Sequence, residues 1–412
     1  MTGSQVMTAN QSCNPDELEV VEWLDSQFFT EVLQHYEKAP ELRLTDLRLS
    51  PASAQGDHYA SVMFRACVEY STDKGSTGKS LIVKAMPEQG GMKRRMVGES
   101  RIFQTEIAMY TKVLPKFEAV LREAGEETAL CVPCLYHSLE PRQVLVFDDL
   151  LPLGYQVIRN RPLSSDELRC ALDKLAKWHA VSHKLLKEDP DLFKDLQYNM
   201  ATLPNFLNQS FIANALPNFI YMLDEVESLK KYKRYFAAMR RNLIQNWADT
   251  LNEYRQSPRD DSYYVLCHGD FHIRNLMFKC DSCMLIDFQL SHVGPLVNDF
   301  LYAMYTLFSS EERGARRDEL IKFYLERFQH TLIKIGYLGK APTLDEFQSQ
   351  MIDKRFNEFL LLTTFLPMQI AARKNAIDPL RRRTSMYKDE DYQQEVECLL
   401  QRMTDQGYFR DI

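Results

Sequence analysis

The chain has 412 residues, of which 45% are hydrophobic and 26% charged, and its formal net charge is −7. This length leaves room for two or three domains, each with its own core. The negative charge argues against a nucleic-acid-binding protein, which needs a basic face. No apolar run reaches the length of a membrane span, and residues 1–14 lack the apolar core of a signal peptide. We therefore expect a cytoplasmic protein with no membrane span, and nothing in the sequence indicates a protein partner.

The nine cysteines are an odd number, which is typical of free thiols in a reducing compartment. Two CxxC pairs, at residues 131–134 and 280–283, could indicate zinc. They lie far apart in the sequence, and neither adds the short Cys or His spacing of a zinc ribbon or finger. We therefore interpret them as strand and turn cysteines.

The first predicted element is a helix over residues 15–39, which we interpret as an N-terminal extension covering residues 1–40. Asn14 is a suitable N-cap and Pro15 occupies the first helical position. Apolar residues recur with helical spacing from there to residue 36.

The apolar period then changes to two, which is typical of strands. Three strands are predicted, over residues 42–49, 59–70 and 81–85. The alternation of the first slips near Asp46, and a strong turn signal covers residues 71–78. This order of strands and loops predicts an antiparallel meander.

A long helical stretch is predicted over residues 97–124, kinked or divided at Pro115. Two short strands follow, over residues 132–138 and 143–147. Residues 41–150 thus form a small α+β lobe with an antiparallel sheet and one crossing helix. Residues 151–412 are mainly helical apart from one hairpin. The sequence therefore predicts an α+β, bilobal protein whose cleft lies near residues 147–151.

The predicted helices of the second lobe start at a cap at Ser164 or Ser165. About two helices are expected over residues 216–251. After the hairpin, further helices are predicted over residues 299–308, 317–335, 344–374 and 390–403.

The hairpin contains the polar residues that indicate a function. Its predicted strands cover residues 276–278 and 284–286, with a polar turn at residues 280–283. Asn275 precedes the first strand and Asp287 follows the second, so both should lie at the open end. Asp270 lies five residues before Asn275. Two carboxylates and an amide oxygen therefore converge, as Mg²⁺ and a reacting hydroxyl require in phosphoryl transfer.

Each of these three residues has a role in that chemistry. Asp270 would accept or orient the proton of the attacking hydroxyl, while Asn275 and Asp287 would hold Mg²⁺ against nucleotide phosphates. The alternative is that they are ordinary turn and cap residues. The combination of His268-Gly-Asp270, an asparagine five residues later and an Asp-Phe after a hairpin is far more specific than a lone Asp-Phe.

The pattern His-Gly-Asp-x-x-x-x-Asn followed by Ile-Asp-Phe resembles the catalytic segment of the aminoglycoside-phosphotransferase and choline-kinase branch of kinase-like proteins. The longer string Cys267-His-Gly-Asp-Phe-His-Ile-Arg-Asn-Leu-Met-Phe, with Ile-Asp-Phe-Gln289, resembles the insect ecdysteroid-kinase-like (CHK kinase-like) family. Ala176-Lys-Trp-His-Ala-Val-Ser and Phe147-Asp-Asp-Leu also resemble that family. The similarity extends from about residue 23 to the C-terminus, and it implies a protein-kinase-like fold.

The resemblance implies further site residues in the first lobe. Lys84, on the third strand, would contact the α- and β-phosphates of ATP. Glu106, on the next helix, is the ion partner expected to position Lys84. Glu99 is a competing candidate that helical periodicity alone does not separate from Glu106.

The nucleotide-binding loop and hinge follow from the same resemblance. Ser53 and Gly56 belong to a reduced phosphate-covering loop with one glycine. Asp148, Asp149 and Leu150 fall where the hinge between lobes should read the adenine edge, although a simple linker is an almost equal alternative.

Asp299 resembles an aspartate that braces the backbone of the catalytic loop, and it could equally be an N-cap. His179 and His183 are expected to be core or cap histidines.

We therefore predict an ATP- and Mg²⁺-dependent phosphotransferase that acts on an alcohol group of a small molecule. The resemblance implies an ecdysteroid, a related sterol or a hydroxylated xenobiotic as the acceptor, with inactivation or detoxification as the role. Choline or an aminoglycoside-like compound is the alternative acceptor. Gly269 and Gln289 stand where protein kinases have Arg and Gly, which disfavours protein substrates. A non-catalytic pseudokinase should have lost Lys84, Asp270 or Asp287, and all three are present.

Overall fold

The structure is a computed structural model that describes residue 17 and residues 21–53, 60–87, 100–159, 161–374 and 385–412. The chain divides into two compact units, of which the first contains residues 1–111 and 131–156 and the second residues 112–130 and 157–412. The sequence predicts one boundary between the lobes, near residue 150. In the structure, residues 112–130, which precede that boundary, group with the second unit. Over the described ranges, every helix is too short or too polar to cross a membrane.

The first unit is built around a five-stranded antiparallel sheet with the order β1-β2-β3-β5-β4. Its elements are α1 (Ser26–Glu37), β1 (Arg43–Pro51), β2 (Val62–Thr72), β3 (Gly75–Ala85), α2 (Ile102–Ala108), β4 (Cys134–Ser138) and β5 (Val144–Asp148). The predicted small α+β module with an antiparallel sheet and a helix is therefore confirmed.

The sheet explains two features of the sequence pattern. The pairing of β1 with β2 shifts register between Leu44 and Asp46, so a β-bulge lies where the apolar alternation slips. β2 and β3 still pair at Thr72 and Gly75, so the turn comprises only the two residues between them. The predicted turn over residues 71–78 was too long, because polar residues on both sides continue the hairpin.

Helix α1 begins later than the sequence pattern predicts. Its N-cap is Asp25, whose carboxylate accepts the N–H of Phe28 at 2.9 Å. Residues 21–25 form a turn and no helix, so the predicted helix over residues 15–39 was wrong in that segment. The predicted cap, Asn14, lies outside the described residues.

The first unit has a hydrophobic core of its own. Alternate residues of β2 are buried from Val62 to Tyr70, which is the period expected of a strand with one covered face. Helix α1 contributes Phe29, Val32 and Leu33 to the same cluster. Each fully buried side chain of this kind contributes about 1.5–3 kcal/mol relative to exposure.

The second unit is mainly helical, as predicted. Its helices are α3 (Leu114–Glu123), α4 (Ser165–Glu188), α5 (Ser210–Ala213), α6 (Ala215–Glu225), α7 (Lys233–Met239), α8 (Leu243–Gln256), α9 (Val297–Thr306), α10 (Ser310–Gly314), α11 (Arg317–Lys334), α12 (Leu344–Asp353), α13 (Arg355–Leu360), α14 (Leu366–Arg373) and α15 (Glu390–Asp405). Its strands are β6 (Tyr264–Cys267), β7 (Leu276–Lys279), β8 (Ser282–Leu285) and β9 (His292–Pro295), paired as β6 with β9 and β7 with β8.

Two long helical predictions are divided in the structure. A π-helical turn, Met109–Val113, joins α2 to α3, and Pro115 lies in the first turn of α3. Proline is tolerated there because the first N–H groups of a helix have no partner within it. A second π-helical turn, Leu361–Phe365, joins α13 to α14.

Helix α4 starts at the N-cap that the sequence suggests. The Ser164 hydroxyl accepts the N–H of Glu167, and the Glu167 carboxylate accepts the N–H of Ser164. This capping box fixes the start of a 24-residue helix that contacts strand β6 and the β7–β8 hairpin.

Candidate active site

The β7–β8 hairpin of the second unit is present as predicted. Leu276 pairs with Leu285, and the pairing continues to Lys279 opposite Ser282. The turn therefore contains two residues, whereas a four-residue turn over residues 280–283 was predicted. The tight turn fixes the register of the hairpin, and the register determines which residues meet at its open end.

Asn275 and Asp287 lie at that open end. The N–H of Ile286 donates to the backbone oxygen of Asn275 at 3.1 Å, which extends the pairing one step beyond the strands. Asp287 follows immediately and has a φ of 66°. This left-handed conformation costs most L-residues energy, and aspartate and asparagine tolerate it best. Such strain persists where the surrounding structure holds the residue in place.

The two residues after Asp287 are held by their own contacts. The ring of Phe288 stacks on that of Trp178 from α4, with centroids 5.4 Å apart and planes 9° apart. The indole N–H of Trp178 donates to the backbone oxygen of Leu266 at 2.6 Å, so the ring that supports Phe288 is itself fixed. Nε2 of Gln289 lies 3.4 Å from Oδ2 of Asp287.

Asp270 lies on the loop before the hairpin, and three side chains surround its carboxylate. The Tyr302 hydroxyl donates to Oδ1 at 2.9 Å, and the Asn275 amide donates to Oδ2 at 3.2 Å. Nε2 of His272 lies 3.4 Å from Oδ1. Burial alone raises the pKa of Asp270, but His272, the Tyr302 hydroxyl and His268 together bring the pKa below its usual value. The carboxyl group is therefore ionised at neutral pH and can accept a proton.

Asp299, near the start of α9, fixes the backbone of the same loop. Its carboxylate accepts the N–H groups of His268 at 2.5 Å and Gly269 at 3.1 Å. Nε2 of His179 lies 3.2 Å from its Oδ2, and Nδ1 of His179 lies 2.5 Å from the hydroxyl of Tyr324. Burial raises the pKa of Asp299, but its hydrogen bond with His179 and the nearby charges outweigh burial and lower it. Asp299 therefore makes the contacts expected of a brace for the loop.

Gly269 is required by the path of the chain next to Asp270. Its φ is 83°, a conformation that L side chains rarely adopt. A Cβ at this position would lie 2.1 Å from the backbone oxygen of Leu290. The glycine thus allows the loop before Asp270 to contact the segment that follows the hairpin.

We predict that Gly269→Ala destabilises the protein by about 2–4 kcal/mol, because the backbone oxygen of Leu290 must move to admit the new carbon. Gly336→Ala is the matched control: Gly336 has a φ of 73°, and a Cβ there meets nothing within 4 Å. The control should lose only the stability that a side chain costs in the left-handed conformation, about 1–2 kcal/mol. Urea unfolding measures the free energy of unfolding of both variants. Equal losses of stability in the two would contradict a steric requirement for glycine at position 269.

The structure brings Lys84 and Glu106 of the first unit together. Lys84 lies on β3 opposite Leu145 of β5, and its Nζ is 2.5 Å from Oε2 of Glu106 on α2. Both residues are almost completely buried. A buried charge is tolerated only when it is paired and hydrogen-bonded. The competing candidate Glu99 lies outside the described residues.

The residues of the predicted phosphate-covering loop are only partly described. Ser53 is buried, and its hydroxyl hydrogen-bonds to the Glu17 carboxylate, with both oxygens 2.7 Å away. The backbone N–H of Ser53 donates to Oε2 of the same carboxylate at 3.3 Å. Gly56 lies outside the described residues. Ser53 therefore anchors the described end of this loop to Glu17.

The predicted hinge residues continue the pairing of β5 with β3. The backbone N–H of Asp149 donates to the oxygen of Ser80 at 3.0 Å. Its carboxylate accepts hydrogen bonds from Arg65 at 2.7 Å and from the Ser80 hydroxyl at 2.8 Å. Asp149 is therefore engaged in the sheet through both its backbone and its side chain.

The donor set of the hairpin fits Mg²⁺. Because the Asn275 amide nitrogen faces Asp270, its amide oxygen is the atom that can ligate a cation, and Asp287 supplies a carboxylate. Mg²⁺ is commonly held by one or two carboxylates together with substrate phosphates and water. In the described part of the chain, no group of three or more His, Cys, Asp or Glu residues could hold a metal ion. This excludes a cage of such residues there and is compatible with a site completed by substrate.

Sequence reasoning missed two contributors to the site. Tyr302 was not identified, although it lies three residues after Asp299 and therefore on the same face of α9. His179 was interpreted as a core or cap histidine. It is completely buried, but it also contacts the carboxylate that braces the loop.

Two features define a protein of the kinase-like class. One is the buried Lys–Glu pair beside an antiparallel sheet, and the other is the Asp–Asn loop before an Asp-Phe hairpin. The model of the ecdysteroid kinase-like family matches residues 55–337, and the chain belongs to this family. The resemblance inferred from the catalytic segment is thereby confirmed, as is the α+β kinase-like fold class. The family is one of small-molecule kinases within this class.

Solved structures with some similarity are also kinases. One is an amicoumacin kinase in complex with AMP-PNP, Ca²⁺ and Ami, at 13% identity and a TM-score of 0.42, covering 90% of this chain and 93% of that one. A choline kinase from Cryptosporidium parvum has 9% identity, a TM-score of 0.44 and coverages of 93% and 98%. An ethanolamine kinase from Plasmodium vivax has 14% identity, a TM-score of 0.37 and coverages of 90% and 100%. No curated protein matches the sequence.

Proposed function

We propose that the protein transfers the γ-phosphoryl group of ATP to a hydroxyl group of a small molecule. The observation that best supports this is the environment of Asp270. Its ionised carboxylate is held by Tyr302 and Asn275 on the loop that leads into the hairpin ending at Asp287. A positioned carboxylate next to two hard oxygen ligands is the arrangement that phosphoryl transfer to an alcohol needs.

Each residue has a distinct part in this proposal. Asn275 and Asp287 would hold Mg²⁺, which supplies charge neutralisation at the phosphates when bound. Lys84, held by Glu106, would contact the α- and β-phosphates. Asp270 orients the acceptor hydroxyl and takes its proton as the oxygen–phosphorus bond forms. The bond to the bridging oxygen of ADP breaks in the same transfer, so ADP leaves.

The nucleotide-binding residues of the first unit complete the proposal. Ser53 and Gly56 would cover the phosphates, with Ser53 anchored through Glu17. The backbone of Asp148 and Leu150 would read the adenine edge, and Asp149 would hold that backbone through Arg65 and Ser80.

We propose an ecdysteroid, a related sterol or a hydroxylated xenobiotic as the acceptor, which would make the reaction a step of hormone inactivation or detoxification in the cytoplasm. Membership of the ecdysteroid kinase-like family supports this acceptor class. Choline or an aminoglycoside-like compound is the alternative acceptor. The presence of Lys84, Asp270 and Asp287 together argues against a pseudokinase, since a non-catalytic relative has no need of all three.

Incubation with Mg-ATP and a panel of ecdysteroids, other hydroxylated sterols, plant phenols, choline and an aminoglycoside tests the proposal. We expect a mass increase of one phosphoryl group on an ecdysteroid or another hydroxylated apolar compound, absent in an Asp270→Asn control. Product from choline or the aminoglycoside alone would favour the alternative acceptor. Binding of Mg-ATP without any phosphorylated product would support a pseudokinase and contradict the proposed activity.

A further inference from the structure

The two oxygens of the Asp270 carboxylate have different surroundings. Oδ1 accepts the Tyr302 hydroxyl at 2.9 Å and lies 3.4 Å from Nε2 of His272. Oδ2 has one described donor, the Asn275 amide, at 3.2 Å. We propose that Tyr302 and His272 are positioning residues that hold Oδ1, so that Oδ2 is the oxygen that takes the proton of the acceptor hydroxyl. This inference rests on the proposed phosphotransferase function.

Tyr302 is built into the element that also braces the loop. Asp299 and Tyr302 lie three residues apart on α9, so one helical face contacts both the loop backbone and the Asp270 side chain. The ring of Tyr302 packs edge-on against Phe365, with centroids 5.6 Å apart. Burial, with the nearby Asp270, raises the pKa of Tyr302 well above its usual value, so the hydroxyl remains a donor across the working pH range.

His272 is fixed in an orientation that places Nε2 3.4 Å from Oδ1 of Asp270. The backbone N–H of Arg274 donates to Nδ1 of His272 at 3.1 Å. A ring nitrogen that accepts a hydrogen bond carries no proton, so the ring proton is on Nε2. Nε2 is the atom that faces Asp270. The loop itself therefore selects the tautomer of His272.

The contacts of the carboxylate leave Oδ2 with fewer described neighbours than Oδ1. An ionised carboxylate has about four lone-pair sites, two on each oxygen. Tyr302 donates to Oδ1, which also has Nε2 of His272 3.4 Å away, and Asn275 donates to Oδ2. Oδ2, whose one described donor is Asn275, is therefore the oxygen left for a substrate hydroxyl. A carboxylate held in this way stays oriented toward the acceptor hydroxyl, whereas a freely rotating carboxylate would have to be ordered before each proton transfer.

Tyr302→Phe tests the inference because it removes one hydroxyl and retains the ring contact with Phe365. We expect kcat to fall roughly 10- to 100-fold, as for loss of a hydrogen bond to a charged group. KM for ATP and the affinity for Mg-ATP should stay within about twofold, because the described hydrogen bond of the Tyr302 hydroxyl is to the proton acceptor, Asp270.

Tyr305→Phe is the matched control. Tyr305 lies one turn later on the same helix and is completely buried, and its hydroxyl donates to Glu358 at 2.8 Å. Removal of this hydroxyl should lower the melting temperature and leave kcat unchanged. A purely structural role of Tyr302 would instead make the two variants alike.

His272 provides a second, independent variant, because its side chain is partly exposed and its replacement should not prevent folding. His272→Leu should lower kcat roughly 2- to 10-fold, and His272→Gln, which keeps an N–H donor, should retain more activity than His272→Leu. If the parent protein turns over but Tyr302→Phe and His272→Leu keep its kcat, this inference alone is overturned. If the parent protein phosphorylates no acceptor, the proposed function fails and the inference fails with it.

Discussion

Asp270→Asn is expected to lower turnover roughly 10²–10⁴-fold, the range for loss of a positioned acid–base group. The substitution keeps the shape of the side chain, and the amide oxygen can still accept the Tyr302 hydroxyl. It removes the negative charge, and a neutral amide does not accept a proton at neutral pH. Nucleotide affinity should change little, because the proposed nucleotide and metal contacts come from other residues.

Initial rates at saturating Mg-ATP, together with calorimetric titration of Mg-ATP, separate these two effects. Asp281→Asn is the matched control, because Asp281 is exposed on the turn at the far end of the same hairpin. The control should have the turnover of the parent protein. Equal turnover in Asp270→Asn and the parent would remove Asp270 from the mechanism, and a large loss of nucleotide affinity would show a role in binding instead.

The hairpin could be predicted from the sequence because all the interactions that define it are local. Two short apolar runs flank a polar turn, and a register that pairs Leu276 with Leu285 places Asn275 and Asp287 at one end. The bulge in β1 was visible in the same way, as a slip of the alternation near Asp46. Patterns of period two within ten or twenty residues thus contain enough information for a strand, its turn and its irregularities.

The start of α1 could not be predicted from such a pattern. Helical spacing of apolar residues continued through residues 21–25, which form a turn. The helix starts at Ser26 because the Asp25 side chain caps the N–H of Phe28. Several side chains in this segment can act as caps, and periodicity does not distinguish between them.

Contacts between distant parts of the chain explain what was missed in the site. The chain has 20 tyrosines, and nothing in the sequence marks Tyr302 as the one that meets Asp270. The same is true of His179, whose Nε2 lies 3.2 Å from Oδ2 of Asp299 although the two residues are 120 positions apart in the sequence. Gly269 is a similar case, since the close approach of the Leu290 oxygen appears only once the loop is folded.

Asp287→Asn is expected to remove most of the Mg²⁺-dependent part of nucleotide binding. Asparagine adopts the left-handed conformation of residue 287 about as readily as aspartate, so the backbone should be preserved. The lost charge is that of the only carboxylate assigned to the cation. Loss of a residue that merely supports a metal ligand already costs roughly 10–100-fold in affinity, so loss of this ligand should cost at least roughly 10²-fold.

Calorimetric titration of ATP with Mg²⁺, and again with excess EDTA, isolates the metal-dependent part. The affinity without Mg²⁺ should be the same in the variant and the parent protein, because the contacts proposed for Lys84 and the hinge do not involve Asp287. The affinity with Mg²⁺ should fall in the variant to near the value without it, and turnover should fall with it. A variant that keeps the full Mg²⁺-dependent increase in affinity would contradict the assignment of Asp287 as a metal ligand, and the open end of the hairpin would then need another role.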